Sequence, residues 1–284
     1  MRALVTALGV LSLVTGRIPR ARAERWCRLA GRIWYLAAPR SRAVVRSNLC
    51  HALGRQPLPA TVRTVFEFGA LNYWDTLSIG SLGAVGVNEL VHLEGLHHID
   101  EALRGGRGVI VVGAHVGSIA LAVQALAVRY PVLGVVEEIK PPELLRFWLD
   151  RRSALGLRLV AAGPGAVRVL LTALRGNEVV VIVSDKDVNG TGAWVDFFGK
   201  EAMLPAGPAA LALRTGAVLL SATTWRRADG RIEARVEAPL QIAHTGDAAA
   251  DRRALTQAIA RRLEYHVASH PEQWTVFEQR WPAE

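Results

Sequence analysis

Cysteine is nearly missing: Cys27 and Cys50 are the only two in 284 residues, and they stand in no metal-ligand spacing. A disulfide scaffold and a structural zinc site are therefore not expected. The apolar run at residues 3–15 falls short of the roughly 20 residues that a bilayer-spanning helix needs. No internal repeat and no low-complexity linker occur. A glycine-rich nucleotide loop is also lacking, because Gly105-Gly106-Arg107-Gly108 precedes a strand instead of joining strand to helix. Acidic residues are scarce at one end: in residues 1–60, Glu24 stands alone against eleven arginines. The rest of the chain is almost neutral, with 23 bases against 24 acids.

What remains is an ordinary globular composition, 51% apolar and 21% charged, with enough apolar residues for a sizeable core. The length suits one large domain with an N-terminal appendage. The appendage carries the basic character. Trp26, Leu29, Ile33, Trp34 and Leu36 interleave with Arg22, Arg25, Arg28 and Arg32. Indole rings beside guanidinium groups suit a headgroup layer, so an anionic membrane surface is the expected partner. A basic helix packed on the protein body is the rival reading. Nucleic acid is not expected, since nothing downstream resembles a groove-reading or base-stacking module. A signal peptide is disfavoured by the basic stretch Gly16–Arg20 between the apolar run and Ala21-Arg22-Ala23.

Periodicity predicts helices over 41–53 and 60–79, closed by glycines at 80–86. Strands and helices then alternate: strands at 109–113, 132–136, 158–160, 178–184, 217–224 and 232–236; helices at 117–129, 142–155, 164–175, 205–215 and 250–268. The expected fold is α/β, a mixed central sheet covered by helices, with residues 1–79 as a helical membrane-associating region and 80–284 as the α/β domain.

Ligands of such sheets sit beyond the carboxyl ends of the strands. His115 follows one strand, with Val116-Gly117-Ser118 behind it, and its imidazole can take a proton from an alcohol. Ser184-Asp185-Lys186-Asp187 follows a second strand and Glu137 a third. Arg152 closes the helix after Glu137, where the two are either a pair over a pocket or separate surface charges.

These blocks bring a resemblance. Arg46-Ser-Asn-Leu49, the run Gly108–Gly117, Ser184–Asp187, Asp196-Phe-Phe-Gly199, Pro205-Ala-Gly-Pro208, Leu213–Ala217 and His270-Pro-Glu-Gln-Trp274 resemble the bacterial lipid A biosynthesis acyltransferase superfamily. Residues 136–145, with Arg152 and Leu155-Gly156, look like its phosphatidylinositol mannoside acyltransferase branch. The resemblance implies a glycerolipid acyltransferase-like fold on the cytoplasmic face of the plasma membrane. It implies transfer of a fatty acyl chain from acyl-CoA or acyl carrier protein to a hydroxyl of a glycolipid or lysolipid, with no metal and no cofactor. His115 would be the general base, with Glu137 as the second catalytic residue. Arg152, Asp185, Asp187, Phe197 and Phe198 would bind substrate.

One departure stands out. The family motif places Asp or Glu where this chain has Ala120. Glu137, Asp185 and Asp187 are the candidates to replace that acid, and an acidic side chain restored at position 120 should preserve or raise activity. A catalytically silent lipid-binding homologue is the alternative.

Overall fold

The computed structural model describes residues 2–137, 140–163, 165–187, 190 and 192–281. Its centre is a seven-stranded sheet. In chain order the strands are β1 (Val91–Glu94), β2 (Val109–Gly113), β3 (Val132–Val136), β4 (Arg158–Ala161), β5 (Val179–Val183), then β8 (Val218–Arg226) and β9 (Ile232–Pro239). The spatial order is β1-β9-β8-β2-β5-β3-β4, parallel throughout except for the β8–β9 pair. β6 (Ala193–Phe197) and β7 (Lys200–Leu204) form a separate antiparallel hairpin.

The helices are α1 (Arg2–Val14), α2 (Arg20–Ala37), α3 (Pro39–Leu53), α4 (Pro59–Leu90), α5 (Leu96–Arg104), α6 (Ile119–Ala127), α7 (Pro142–Arg152), α8 (Ala166–Arg175), α9 (Gly207–Thr215) and α10 (Ala248–Ser269). Central strands read as unbroken apolar runs because both faces are covered. In β2, Ile110 and Val112 join the core that includes residues of α3, α4, α8, α9 and α10, while Val109 and Val111 join a second cluster with Ile99 of α5 and Leu126 of α6. The side-chain alternation of a strand thus feeds two cores at once.

The expected α/β class and mixed sheet are present. Two features differ from the periodicity reading. β1 and α5 were not foreseen, nor was the β6–β7 hairpin. The helix over 60–79 does close within the glycines at 80–86: Gly83, with φ 60° and ψ −175°, leaves the helical path, and a second helical stretch carries α4 on to Leu90. Val45, Leu49 and Phe66 share one core with Ile110 and Val180.

The N-terminal helices lie on α4. Ala23, Cys27 and Gly31 of α2 are buried, and Gly31 sits so close to the Glu67 backbone that a Cβ would collide with it. Arg28 and Arg32 turn inward to Glu67, at 3.4 and 2.8 Å. Those two arginines follow the packed-helix reading. Trp26, Leu29, Ile33 and Leu36 face outward, each more than half exposed. Among the described residues, no helix is long and apolar enough to cross a membrane.

Candidate active site

β2 and β5 are parallel neighbours with Gly113 opposite Val183. Two residues beyond each partner stand His115 and Asp185, so the register alone brings them side by side past the carboxyl edge of the sheet. Ser184 N–H donates to the Gly113 carbonyl at 2.8 Å and extends the pairing to the last residue before Asp185.

Asp185 is fully buried and holds His115 twice. Its Oδ1 lies 2.7 Å from the ring Nδ1, and its Oδ2 accepts the His115 backbone N–H at 2.9 Å. The Trp274 indole N–H also donates to Oδ2, at 2.8 Å. Burial alone would push this carboxyl up, but the His115 charge and these hydrogen bonds outweigh it and hold the group down at about 2. On His115, burial works against the imidazolium; the Asp185 charge and hydrogen bond prevail and raise its pKa. With Nδ1 committed to a carboxylate, the ring carries its neutral-state proton there and leaves the Nε2 lone pair free. The side chain is 40% exposed, so a substrate hydroxyl can reach it.

The segment Gln273–Thr275 seats the histidine. Thr275 N–H donates to the His115 carbonyl at 2.8 Å, Gly117 N–H donates to the Gln273 carbonyl at 3.1 Å, and Val116 bridges Trp274. Gly117 adopts φ +65° with the Thr224 carbonyl against the place a Cβ would fill, which demands glycine here.

The other candidates fall around this pair. Glu137 is exposed at the end of β3 and bonds Lys186 at 2.8 Å, not His115. Lys186 also holds Glu278, at 2.9 Å. Asp187 accepts the Gly192 N–H at 2.9 Å. Arg152 packs beside Trp148, whose ring lies 5.7 Å from that of Tyr73. Burial lowers the Arg152 pKa, and no carboxylate bridges it among the described residues, so Glu137 and Arg152 do not form a pair. Phe197 is fully buried and stacks on Trp281 in the core, while Phe198 lies between Trp274 and Trp281. Ala120 packs against the apolar cluster containing Ile79 and Leu121, so a carboxylate there would enter apolar surroundings.

Trp274, Gln273 and Thr275 were not recognised from the sequence as site residues; the Pro-Glu-Gln-Trp block was the available signal. Arg280 was missed too. It feels the charges of Asp185, Glu278 and Asp187, and burial presses its pKa down. Beside the turn, between the sheet and α6, lies an apolar cavity lined by Val111, Gly113, Ile119, Ala122, Val123 and Val181, and Ala114 on its wall adjoins His115.

The geometry meets its relatives here. The bacterial lipid A biosynthesis acyltransferase family matches residues 2–283. A phosphatidylinositol mannoside acyltransferase of Mycobacterium tuberculosis (strain ATCC 25618 / H37Rv) is 32% identical over 253 residues, covering 84% of this chain and 77% of that protein. The enzyme of the same name from Mycolicibacterium smegmatis is 29% identical over 247 residues, 84% and 79% of the two chains. A lipid A biosynthesis palmitoleoyltransferase of Escherichia coli (strain K12) is 27% identical over 145 residues, half of this chain and 47% of that one.

Proposed function

The chain belongs to the bacterial lipid A biosynthesis acyltransferase family, and from that premise we propose that it moves a fatty acyl chain from a thioester donor to a glycolipid hydroxyl, with His115 as general base. The observation carrying this reading is the 2.7 Å bond between His115 Nδ1 and Asp185 Oδ1. Nε2 takes the proton of the acceptor hydroxyl as that oxygen attacks the thioester carbonyl. When the tetrahedral intermediate collapses, the carbon–sulfur bond breaks and the imidazolium returns the proton to the departing thiolate. Asp185 fixes the tautomer and stabilises the imidazolium, the division of labour of a catalytic triad.

The donor is acyl-CoA or acyl carrier protein. The acceptor is a phosphatidylinositol mannoside or a related glycolipid, a reading supported by the names of the relatives. The outward apolar face of α2 supports docking on the cytoplasmic face of an anionic membrane, where acyl thioesters are made. The silent-homologue reading rested on Ala120; Asp185 supplies the carboxylate missing there.

The test is acyl transfer from labelled palmitoyl-CoA to a panel of phosphatidylinositol mannosides and lipid A precursors, read by mass spectrometry. Transfer to at least one acceptor, abolished in His115→Ala, is the expected result. Transfer that survives His115→Ala overturns the assignment of the base.

A further inference from the structure

A second buried carboxylate lies behind the site, and the chemistry above does not use it. Asp75 of α4 has no exposed surface. Its Oδ2 accepts the Ser118 hydroxyl at 2.6 Å and also pairs with Arg226 Nη2, while its Oδ1 takes Arg20 Nη2 at 3.1 Å. Ser118 is the N-cap residue of α6, where a serine oxygen ordinarily accepts a free backbone N–H of its own helix. It makes no such bond. The hydroxyl is committed to α4 instead, three residues after His115.

The second partner of Asp75 leads to the same place. Arg226 N–H donates to Gln273 Oε1 at 2.8 Å, and Gln273 Nε2 donates to the Arg226 carbonyl at 3.0 Å. Gln273 accepts the Gly117 N–H, and its neighbour Trp274 holds Asp185. One buried carboxylate thus grips the His115 turn from behind through Ser118. Through Arg226 it also grips the segment that seats the ring and its acid. Arg20, the first residue of α2, ties the outward-facing helix to the same oxygen pair.

We propose that Asp75 is a positioning residue for acyl transfer: through Ser118 it fixes the turn that presents His115, and through Arg20 it makes α2 part of that seat. The inference rests on His115 being the base. A misplacement of about 1 Å in a catalytic group costs on the order of a hundredfold in rate, and Ser118 is the lever that sets the placement.

Ser118→Ala is the gentle test, since it deletes one hydroxyl and leaves Asp75 paired with both arginines. In the full chain on phosphatidylinositol-mannoside vesicles with palmitoyl-CoA, kcat should fall tenfold or more. KM for both substrates should stay within twofold, and the melting temperature should barely move. The charged groups facing the ring (Asp185, Lys186 and Glu278) are untouched, yet the low-pH limb of kcat should move down toward an ordinary imidazole value as the ring loosens from Asp185. Asp75→Asn should lower kcat at least as much, and adding Ser118→Ala to it should cost little more, the non-additivity of two residues acting as one. Arg20→Gln, which leaves the Ser118 contact in place, should lower kcat several-fold and serves if Asp75→Asn fails to fold. Wild-type kcat in Ser118→Ala, or an unmoved pH limb, overturns the inference while the His115 assignment stands. Full activity in His115→Ala overturns both.

Discussion

Asp185 grips His115 at two points, ring and backbone, with one carboxylate. Its Oδ1 meets Nδ1 at 2.7 Å and its Oδ2 meets the backbone N–H at 2.9 Å. The acid therefore fixes both the tautomer of the ring and the position of the residue that carries it. Asp185→Asn should keep the shape and lose the charge. Replacing the orienting acid of a triad costs about four decades in kcat, and a fall of about three to four decades is expected here. The low-pH limb of kcat/KM should also shift. Asp185 raises the His115 pKa, so the wild-type limb lies above the ordinary imidazole value and the variant's limb lies below the wild type's. Rates over pH 5–9 check both.

Restoring an acid at position 120 should not help. Ala120 is packed against the cluster of Ile79 and Leu121, and Asp185 already holds Nδ1. Ala120→Asp should lower stability by about 1–3 kcal/mol, the cost of an unpaired polar group in apolar surroundings, and leave kcat no higher than wild type. Denaturant melts and initial rates measure the two effects.

The outward face of α2 should carry membrane affinity without carrying the fold. Trp26, Leu29, Ile33 and Leu36 point away from α4. A quadruple change of these residues to serine should weaken binding to anionic vesicles at least tenfold, since each apolar side chain is worth about 1.5–3 kcal/mol when fully buried. The melting temperature should hold. Co-sedimentation reads the first, calorimetry the second.

A third carboxylate sets an acid limit on stability. Glu237 is bonded by His266, Arg262 and Ser221. Burial pushes its carboxyl up, but these bonds prevail and hold it at about 2. An unfolded glutamate titrates near about 4.3. A depressed folded pKa contributes stability that is present above the unfolded value and lost as pH falls toward the folded one. Glu237→Gln should melt about 2–6 °C lower at pH 7, and the gap to wild type should close between about pH 5 and pH 2. Thermal melts across that range decide it.

Much of this was legible in the residues. The buried strands β2 and β5 announce themselves as apolar runs, and His115 stands out as a titratable group at a strand end. The acid partnering it is only one of three candidates, with Glu137 and Asp187, and nothing local chooses Asp185 among them. A local reading looks for that acid along the helix after His115, whereas it arrives from the next strand, 70 residues away, by the register of β2 with β5. Trp274 is 89 residues from the carboxylate it holds, and Ser118 is 43 from Asp75. Such pairings depend on topology and leave no periodic trace. β1 was missed for a simpler reason: four residues, Val-His-Leu-Glu, at a sheet edge carry too little hydrophobic pattern.

The seat of His115 is finished by Gln273, Trp274 and Thr275, and that sets a schedule. A ribosome adds about 5–20 residues per second, so roughly 8–30 s separate the synthesis of His115 from that of its last clamps. The outward apolar face of α2 exists long before then. The nascent chain carries that face while it is still chemically harmless, and the His115–Asp185 pair is seated only when residues 273–275 zip onto the turn.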